Sequence, residues 1–221
     1  MTRLNKHIAR ILGISRREAD SLIDEGRVTV DGKVAQLGEQ PDEGASIVVD
    51  KQEIDKSAAA QLIAFHKPVG YVCSRKQQGD NPTIYDLLPP ELQQLKTVGR
   101  LDRDSSGIIL LTNDGDFAHT MTHPSFSKIK IYEVELDKPL QPLHQQMISD
   151  HGIELEDGTS KFMIEKLDKG YKITMKEGRN RQIRRTFDSL GYAVTKLHRI
   201  QFGNYLLGDL EPKKWQEITI T

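Results

Sequence analysis

Apolar residues recur at two different periods along this chain, and the change of period divides it. Leu4, Ile8, Ile11 and Leu12 fall at helical spacing. Ser15 opens the run Ser-Arg-Arg-Glu, and Glu18 stands where a capping box for a second helix requires it. Ala19, Leu22 and Ile23 give that helix an apolar face, and Gly26 is placed as its C-terminal cap. The period then shortens. Val28–Val30, a turn at Asp31-Gly32, a return strand over 33–35 and a further strand at Ile47–Val49 complete a small helix–helix–strand unit. Residues 51–61 are charged or rich in Ala and Ser, with Ile54 as the one large apolar side chain, and read as a linker.

From residue 62 onward strands and helices are mixed. The segment 62–65 reads as a strand that stops at Lys67-Pro68-Val69-Gly70. The near-continuous apolar run 107–112 predicts a central strand buried on both faces. In 131–136, Tyr132, Val134 and Leu136 share one face and Glu133 and Glu135 the other, so Tyr132 points with the apolar residues. Residues 171–175 alternate in the same way, and 194–200 read as another strand. Between them, 180–190 place Ile183, Phe187 and Leu190 on one helical face, closed by Gly191. The expected class is α+β: a small domain over 1–50, a linker over 51–61, and a mixed, mostly antiparallel-sheet domain over 62–221.

Composition narrows the function classes. The chain has 221 residues, 37% of them hydrophobic and 29% charged, with a formal net charge of −1. No apolar run approaches the ~20 residues of a membrane helix, and the charged first residues lack the apolar stretch of a signal peptide. With Cys73 as the one cysteine, no internal disulfide forms, which fits a cytoplasmic protein. Charge is unevenly spread. The first 36 residues are basic in balance, 37–60 acidic, and 176–199 carry seven Arg or Lys against two acids. Two basic segments facing one partner would suit a polyanion, whereas separately they are solvated faces.

Three constellations carry candidate chemistry. Residues 99–107 read Gly-Arg-Leu-Asp-Arg-Asp-Ser-Ser-Gly and set Asp102 between Arg100 and Arg103, just before the central apolar strand. Nearby positive charge favours an ionised carboxylate, which could serve as nucleophile or base. The same pattern could be a surface turn with ordinary ion pairs, Arg103 pairing with Asp104. The second is Arg179, Arg181, Arg184 and Arg185, either a phosphate-gripping helix with one arginine turned inward to an acid or an amphipathic helix with a solvated face. The third is Arg3, Lys6, Arg16, Arg17 and Arg27 on the N-terminal unit, which could lie along a nucleic-acid backbone. His119 and His123 stand four apart without a third ligand, so they are read as structural. Cys73 reads as a packed side chain, and Trp215 as core or an end anchor. No phosphate-binding Gly-rich loop is present, and no metal or nucleotide cofactor is expected.

In order, Lys67-Pro68-Val69-Gly70, Gly99-Arg100-Leu101-Asp102, Lys130-Ile131-Tyr132 and the run 178–185 make the chain resemble the ribosomal RNA pseudouridine synthases. The resemblance is to the branch that includes the small-subunit enzyme and its large-subunit relatives. Residues 3–49 resemble the RNA-binding domain named after ribosomal protein S4. The resemblance implies isomerisation of a specific uridine in ribosomal RNA, or in a pre-ribosomal particle, on a flipped-out base. It makes Asp102 the nucleophile, Tyr132 the residue that stacks on the base and helps remove the carbon-five proton, and Arg184 the aspartate's partner. It also implies that Arg100 holds the flipped-out nucleotide, and it adds Lys67 to the RNA-binding set with Arg179, Arg181 and Arg185. A salt bridge between Asp102 and Arg184 is therefore expected, in a monomer that needs no cofactor. Two other readings remain. A non-catalytic RNA-binding or ribosome-assembly factor makes no joint demand on Asp102, Tyr132 and Arg184. A helix-turn-helix DNA regulator would want Asn or Gln on its recognition helix, and 15–25 contain neither.

Overall fold

The structure, a computed structural model, describes residues 2–42, 44–54, 60–75 and 79–220. It forms two compact units. One comprises 1–62 with two later segments, 89–96 and 112–115; the other comprises 63–88, 97–111 and 116–221.

The first unit opens with α1 (Leu4–Ile11) and α2 (Arg16–Asp24). The capping box at Ser15 is closed on both sides: its Oγ accepts from Glu18 N at 3.1 Å, and its own N–H donates to Glu18 Oε2 at 2.6 Å. Such a cap contributes about 1 kcal/mol to a helix start. The strands β1 (Val28–Val30), β2 (Lys33–Val34), β3 (Ile47–Val49) and β4 (Gln52–Glu53) form an antiparallel sheet in the order β2-β1-β3-β4. The Asp31-Gly32 turn has φ of 48° and 78°, the positive pair a two-residue hairpin needs. Leu4, Ile8, Ala19, Ile23, Val28, Ile47 and Ile54 fill one core. The linker expected at 51–61 is corrected at its start, because β4 pairs with β3 and Ile54 is 8% exposed in that core. The part of it at 55–59 lies outside the described residues.

In the second unit the strands are β5 (Leu62–Lys67), β6 (Lys96–Val98), β7 (Ser106–Thr112), β8 (Lys130–Leu136), β9 (Ile153–Leu155), β10 (Gly158–Ser160), β11 (Met163–Lys166), β12 (Tyr171–Met175), β13 (Val194–Phe202), β14 (Tyr205–Leu206) and β15 (Trp215–Glu217). The helices are α3 (Gly115–Thr122), α4 (Pro142–Gln146) and α5 (Gln182–Asp188). The main sheet runs β11-β12-β8-β13-β7-β5-β15. β8 takes antiparallel neighbours on both sides, whereas β13 and β7 run parallel, so the mixed sheet and the α+β class are both realised. Residues 107–112 are all buried, as a central strand covered on two faces must be. Parallel contact between β7 and β13 depends on Gly107. It has φ of 110°, and a Cβ there would meet the Arg199 carbonyl oxygen at 2.1 Å.

Two expectations about elements change. The helix over 180–190 is shorter, because Arg181 adopts the left-handed conformation (φ 47°) and α5 begins only at Gln182. Trp215, read as core or an end anchor, narrows to the latter: it is 37% exposed on the strand at the end of the sheet, paired with Phe65.

Candidate active site

The loop carrying Asp102 joins β6 to β7 and is held from behind. Asp102 O accepts from Ser105 N at 3.1 Å, closing a turn. Lys67, fully buried at the end of β5, donates from Nζ to Ser105 O at 2.7 Å and Pro68 O at 3.0 Å, with Arg103 O at 3.5 Å. Gly70 N donates to Arg103 O at 2.7 Å. Cys73 Sγ donates to Leu101 O at 3.3 Å, and Leu101 N returns to the sulfur at 3.5 Å. Burial pulls the Lys67 ammonium down to about 8, against the pull of Cys73, Asp102 and Asp104. The same burial raises the Cys73 thiol. The run 67–70 thus clamps the loop that carries Asp102. Lys67 as an RNA-contacting cation is corrected: a fully buried ammonium bonded to backbone carbonyls offers no charge to a ligand at the surface.

From the other side the loop meets the arginines near α5. Arg181 donates through both amino groups to Asp104, at 3.1 and 3.2 Å, and its Nη1 stands 3.7 Å from Asp102 Oδ2. Arg184 turns to Asp104 instead, with Nε 3.3 Å from its Oδ2 and Nη2 donating to its carbonyl oxygen at 2.9 Å. It also reaches Val194 O at 2.9 Å. The expected Asp102–Arg184 ion pair is corrected accordingly. Among the described residues, Arg181 is the cation within 4 Å of the Asp102 carboxylate, because the left-handed turn at 181 aims that side chain at the loop before the helix starts. Burial raises the Asp104 carboxyl, but hydrogen bonding from Arg181 and the charge of Arg184 outweigh it and the net shift is downward. Arg184 is lowered by burial, partly offset by Asp104. Arg103 donates to Asn81 Oδ1 at 2.8 Å rather than pairing with Asp104.

In front of Asp102 lies a cleft of about 1120 Å³ within the second unit. Asp102, Tyr132, Arg100, Arg179 and Arg181 line it; Lys67, Arg184 and Arg185 do not. Tyr132 is 7% exposed on β8, opposite Ile173 on one side and Arg199 on the other. Arg100 is exposed and makes no hydrogen bond or ion pair among the described residues. Two carboxylates line the cleft. Glu177 accepts from Gln182 Nε2 at 2.5 Å and lies 3.6 Å from Arg179 Nε. Asp102, with its side chain 33% exposed, has among the described residues only the long contact to Arg181.

The basic face read on 179–185 is largely neutralised by the fold. Asp157, in the β9–β10 turn, accepts from Arg185 at 3.0 and 2.7 Å and from Arg179 at 3.0 Å. Arg179 also donates to Asp157 O, Gly158 O and Thr159 O. Arg179 and Arg185 therefore fasten that hairpin to the start of α5. In the first unit, Arg3, Arg16 and Arg17 are exposed and Lys6 is half-buried. Arg27 there binds Asp50 through Nε and Nη2, each at 2.7 Å, and Glu25 at 2.9 Å, tying the end of α2 to the β3–β4 turn. The His119 and His123 rings lie 4.8 Å apart at a tilt of 47° beside Phe126, and no group of metal ligands forms among the described residues. Sequence reading missed Asp104 as the shared anchor of two arginines and Arg199 in the cleft. A bare alternation of Arg and Asp does not say which carboxylate each fork will meet.

Residues 61–189 match the family model described as RNA pseudouridylate synthase, and 2–47 match the S4 domain. Ribosomal large subunit pseudouridine synthase B of Shigella flexneri is 34% identical over 99% of this chain and 80% of its own length. The protein of that name from Salmonella typhimurium is 35% identical over 99% and 79%, and that from Pseudomonas aeruginosa 35% over 98% and 59%. A crystal structure of a pseudouridylate synthase superposes with a TM-score of 0.70 at 31% identity, covering 99% of this chain and 96% of the other.

Proposed function

We propose that this chain, which belongs to the RNA pseudouridylate synthase family, isomerises a specific uridine of large-subunit ribosomal RNA, with Asp102 as the attacking group. The observation that carries the reading is the contrast between the two cleft carboxylates: Glu177 is engaged by Gln182 and Arg179, whereas Asp102 opens to the cleft. Family membership supports the reaction class, the S4 domain supports RNA as the substrate, and the names of the similar proteins support the large subunit. A ribosomal RNA substrate would place the chain in the cytoplasm; no helix among the described residues is long and apolar enough to cross a membrane.

A base inside folded RNA must leave its stack to be reached. Tyr132 offers a ring for the extruded uracil, on the same sheet face as the apolar residues of β8. Arg100 at the mouth of the cleft holds the nucleotide's phosphate. Asp102, aimed by Arg181 at 3.7 Å, attacks the target nucleoside. The C1′–N1 bond breaks, the ring turns, C5 bonds to C1′, and the bond formed by Asp102 breaks with its electron pair returning to the carboxylate. The C5 proton leaves with help from Tyr132 while N1 takes one up, so the reaction consumes no redox equivalent, water or nucleotide. Arg184 acts at one remove, fixing Asp104 and Ser105 so that the loop presents Asp102. The test is pseudouridine mapping of large-subunit rRNA transcripts incubated with the purified protein. A single modified site is expected; no modification in any fragment or subunit precursor overturns the reading in favour of a non-catalytic RNA-binding factor.

A further inference from the structure

Arg199 lies near the middle of the main sheet, on β13, and is 2% exposed. Two departures from regular pairing set its direction. Gly107 of β7, at φ 110°, lets the Arg199 backbone approach closely. Against β8, the register of β13 slips between Arg199 and Gln201. Irregularities of this kind re-aim a side chain and concentrate beside active sites. Here Arg199 Nε donates to Ile108 O at 2.9 Å, and the guanidinium sits 4.7 Å from the centre of the Phe202 ring. Among the described residues that is its one hydrogen bond. None of the described carboxylates forms an ion pair with it within 4 Å, and Nη2 is buried without a partner among the described residues. A second cation, Lys130, stands 5.6 Å from the same ring, so Arg199 has no local neutraliser there.

A guanidinium is always charged, and a buried charge is paired in folded proteins. The missing partner has a place to sit: Arg199 lines the same cleft as Asp102 and is directly opposite Tyr132 in the β8–β13 ladder. Residues so paired share a face with their side chains adjacent. With the uracil ring carried on Tyr132, the acceptor beside Arg199 is a ring carbonyl. A backbone phosphate fits less well, since it would have to descend to the floor of the cleft to reach a side chain this buried.

We infer that Arg199 is a further catalytic residue, whose unpartnered amino groups donate to a carbonyl oxygen of the target uracil and hold the negative charge the ring acquires. The inference rests on the proposed function. Breaking the C1′–N1 bond leaves its electron pair on the uracil, spread over N1 and the two carbonyl oxygens. When C5 bonds to C1′, a ring electron pair forms the new bond, the C5 proton is released and N1 is protonated. Donors fixed in advance where charge develops act most strongly in a site that excludes water.

The test compares wild type with Arg199→Met and Arg199→Lys on large-subunit rRNA. Arg199→Met is expected to lower single-turnover rate on the order of 100-fold, with RNA affinity and its salt dependence unchanged. Its unfolding temperature is expected to hold or rise, because an apolar replacement removes an unpaired buried charge. Placing 2-thiouridine or 4-thiouridine at the target, a weaker acceptor at one carbonyl, should slow wild type for the contacted position and add nothing to the Arg199→Met loss. Should Arg199→Met not fold, Arg199→Lys with the thio-substituted RNAs carries the same comparison. Wild-type turnover by Arg199→Met overturns the inference. So does a loss that tracks weaker binding with a shallower salt slope, the signature of a phosphate contact, or strictly additive thio and Met effects. Absence of pseudouridine with wild type would instead overturn the proposed function itself.

Discussion

Asp102 and Asp104 stand two residues apart yet have opposite employment. Asp104 binds two arginines and an ordered loop; Asp102 keeps its carboxylate toward the cleft with Arg181 at 3.7 Å. The two arginines divide accordingly. The Arg184 side chain is 12% exposed and reaches three polar partners, so Arg184→Met leaves buried acceptors unsatisfied and should destabilise the fold by about 1–3 kcal/mol. Arg181 is 44% exposed, so Arg181→Met should cost less than about 1 kcal/mol. Because Arg181 aims Asp102, its loss should still reduce turnover on the order of 100-fold. Urea denaturation and single-turnover assays on the two variants check this; equal stability losses would contradict the division. The flanking charges of Asp102 fit an ion-paired turn as well as a site, and they do not show which arginine it meets. The family resemblance pointed to Arg184, whereas the left-handed residue before α5 brings Arg181 to the loop.

Strand ends and loops, rather than whole strands, build the site. The alternation of β8 and the apolar run of β7 were readable because burial on one or two faces writes directly into residue type. The clamp made by 67–70 was not, since a lysine in a motif reads as a surface charge until its burial is known. That burial has a pH consequence. The folded chain releases the Lys67 proton near pH 8, while the unfolded chain keeps it to the ordinary lysine value of 10.5. Between those values the unfolded state binds more protons, so raising pH favours folding. Wild-type stability relative to Lys67→Met should therefore rise from pH 8 to 10.5. Denaturant titrations across that range check it, and a difference that stays flat or falls would contradict the burial of a protonated lysine.

Across the whole molecule, the separation into a small helical–strand unit and a larger sheet unit followed from the change of hydrophobic period. Two segments of the first unit, 89–96 and 112–115, did not, because a linear pattern cannot show which later residues fold back onto an earlier core. Charge is organised by unit as well. Most arginines near α5 are neutralised internally, whereas Arg3, Arg16 and Arg17 of the S4 unit are exposed. Replacing all three by Gln should weaken RNA binding and flatten its salt dependence, by up to about 0.7 in log–log slope for each phosphate no longer neutralised. Turnover at saturating RNA and the unfolding temperature should stay unchanged. Filter binding at several salt concentrations measures the slope; an unaltered slope would place the RNA-binding charge elsewhere.

The central claim is that Asp102 performs the chemistry in a cleft that already binds the RNA. Pseudouridine mapping of large-subunit rRNA with wild type beside Asp102→Asn tests it most directly, with RNA affinity measured in parallel. The variant should bind and fold as wild type and form no pseudouridine; full modification by Asp102→Asn would contradict the account.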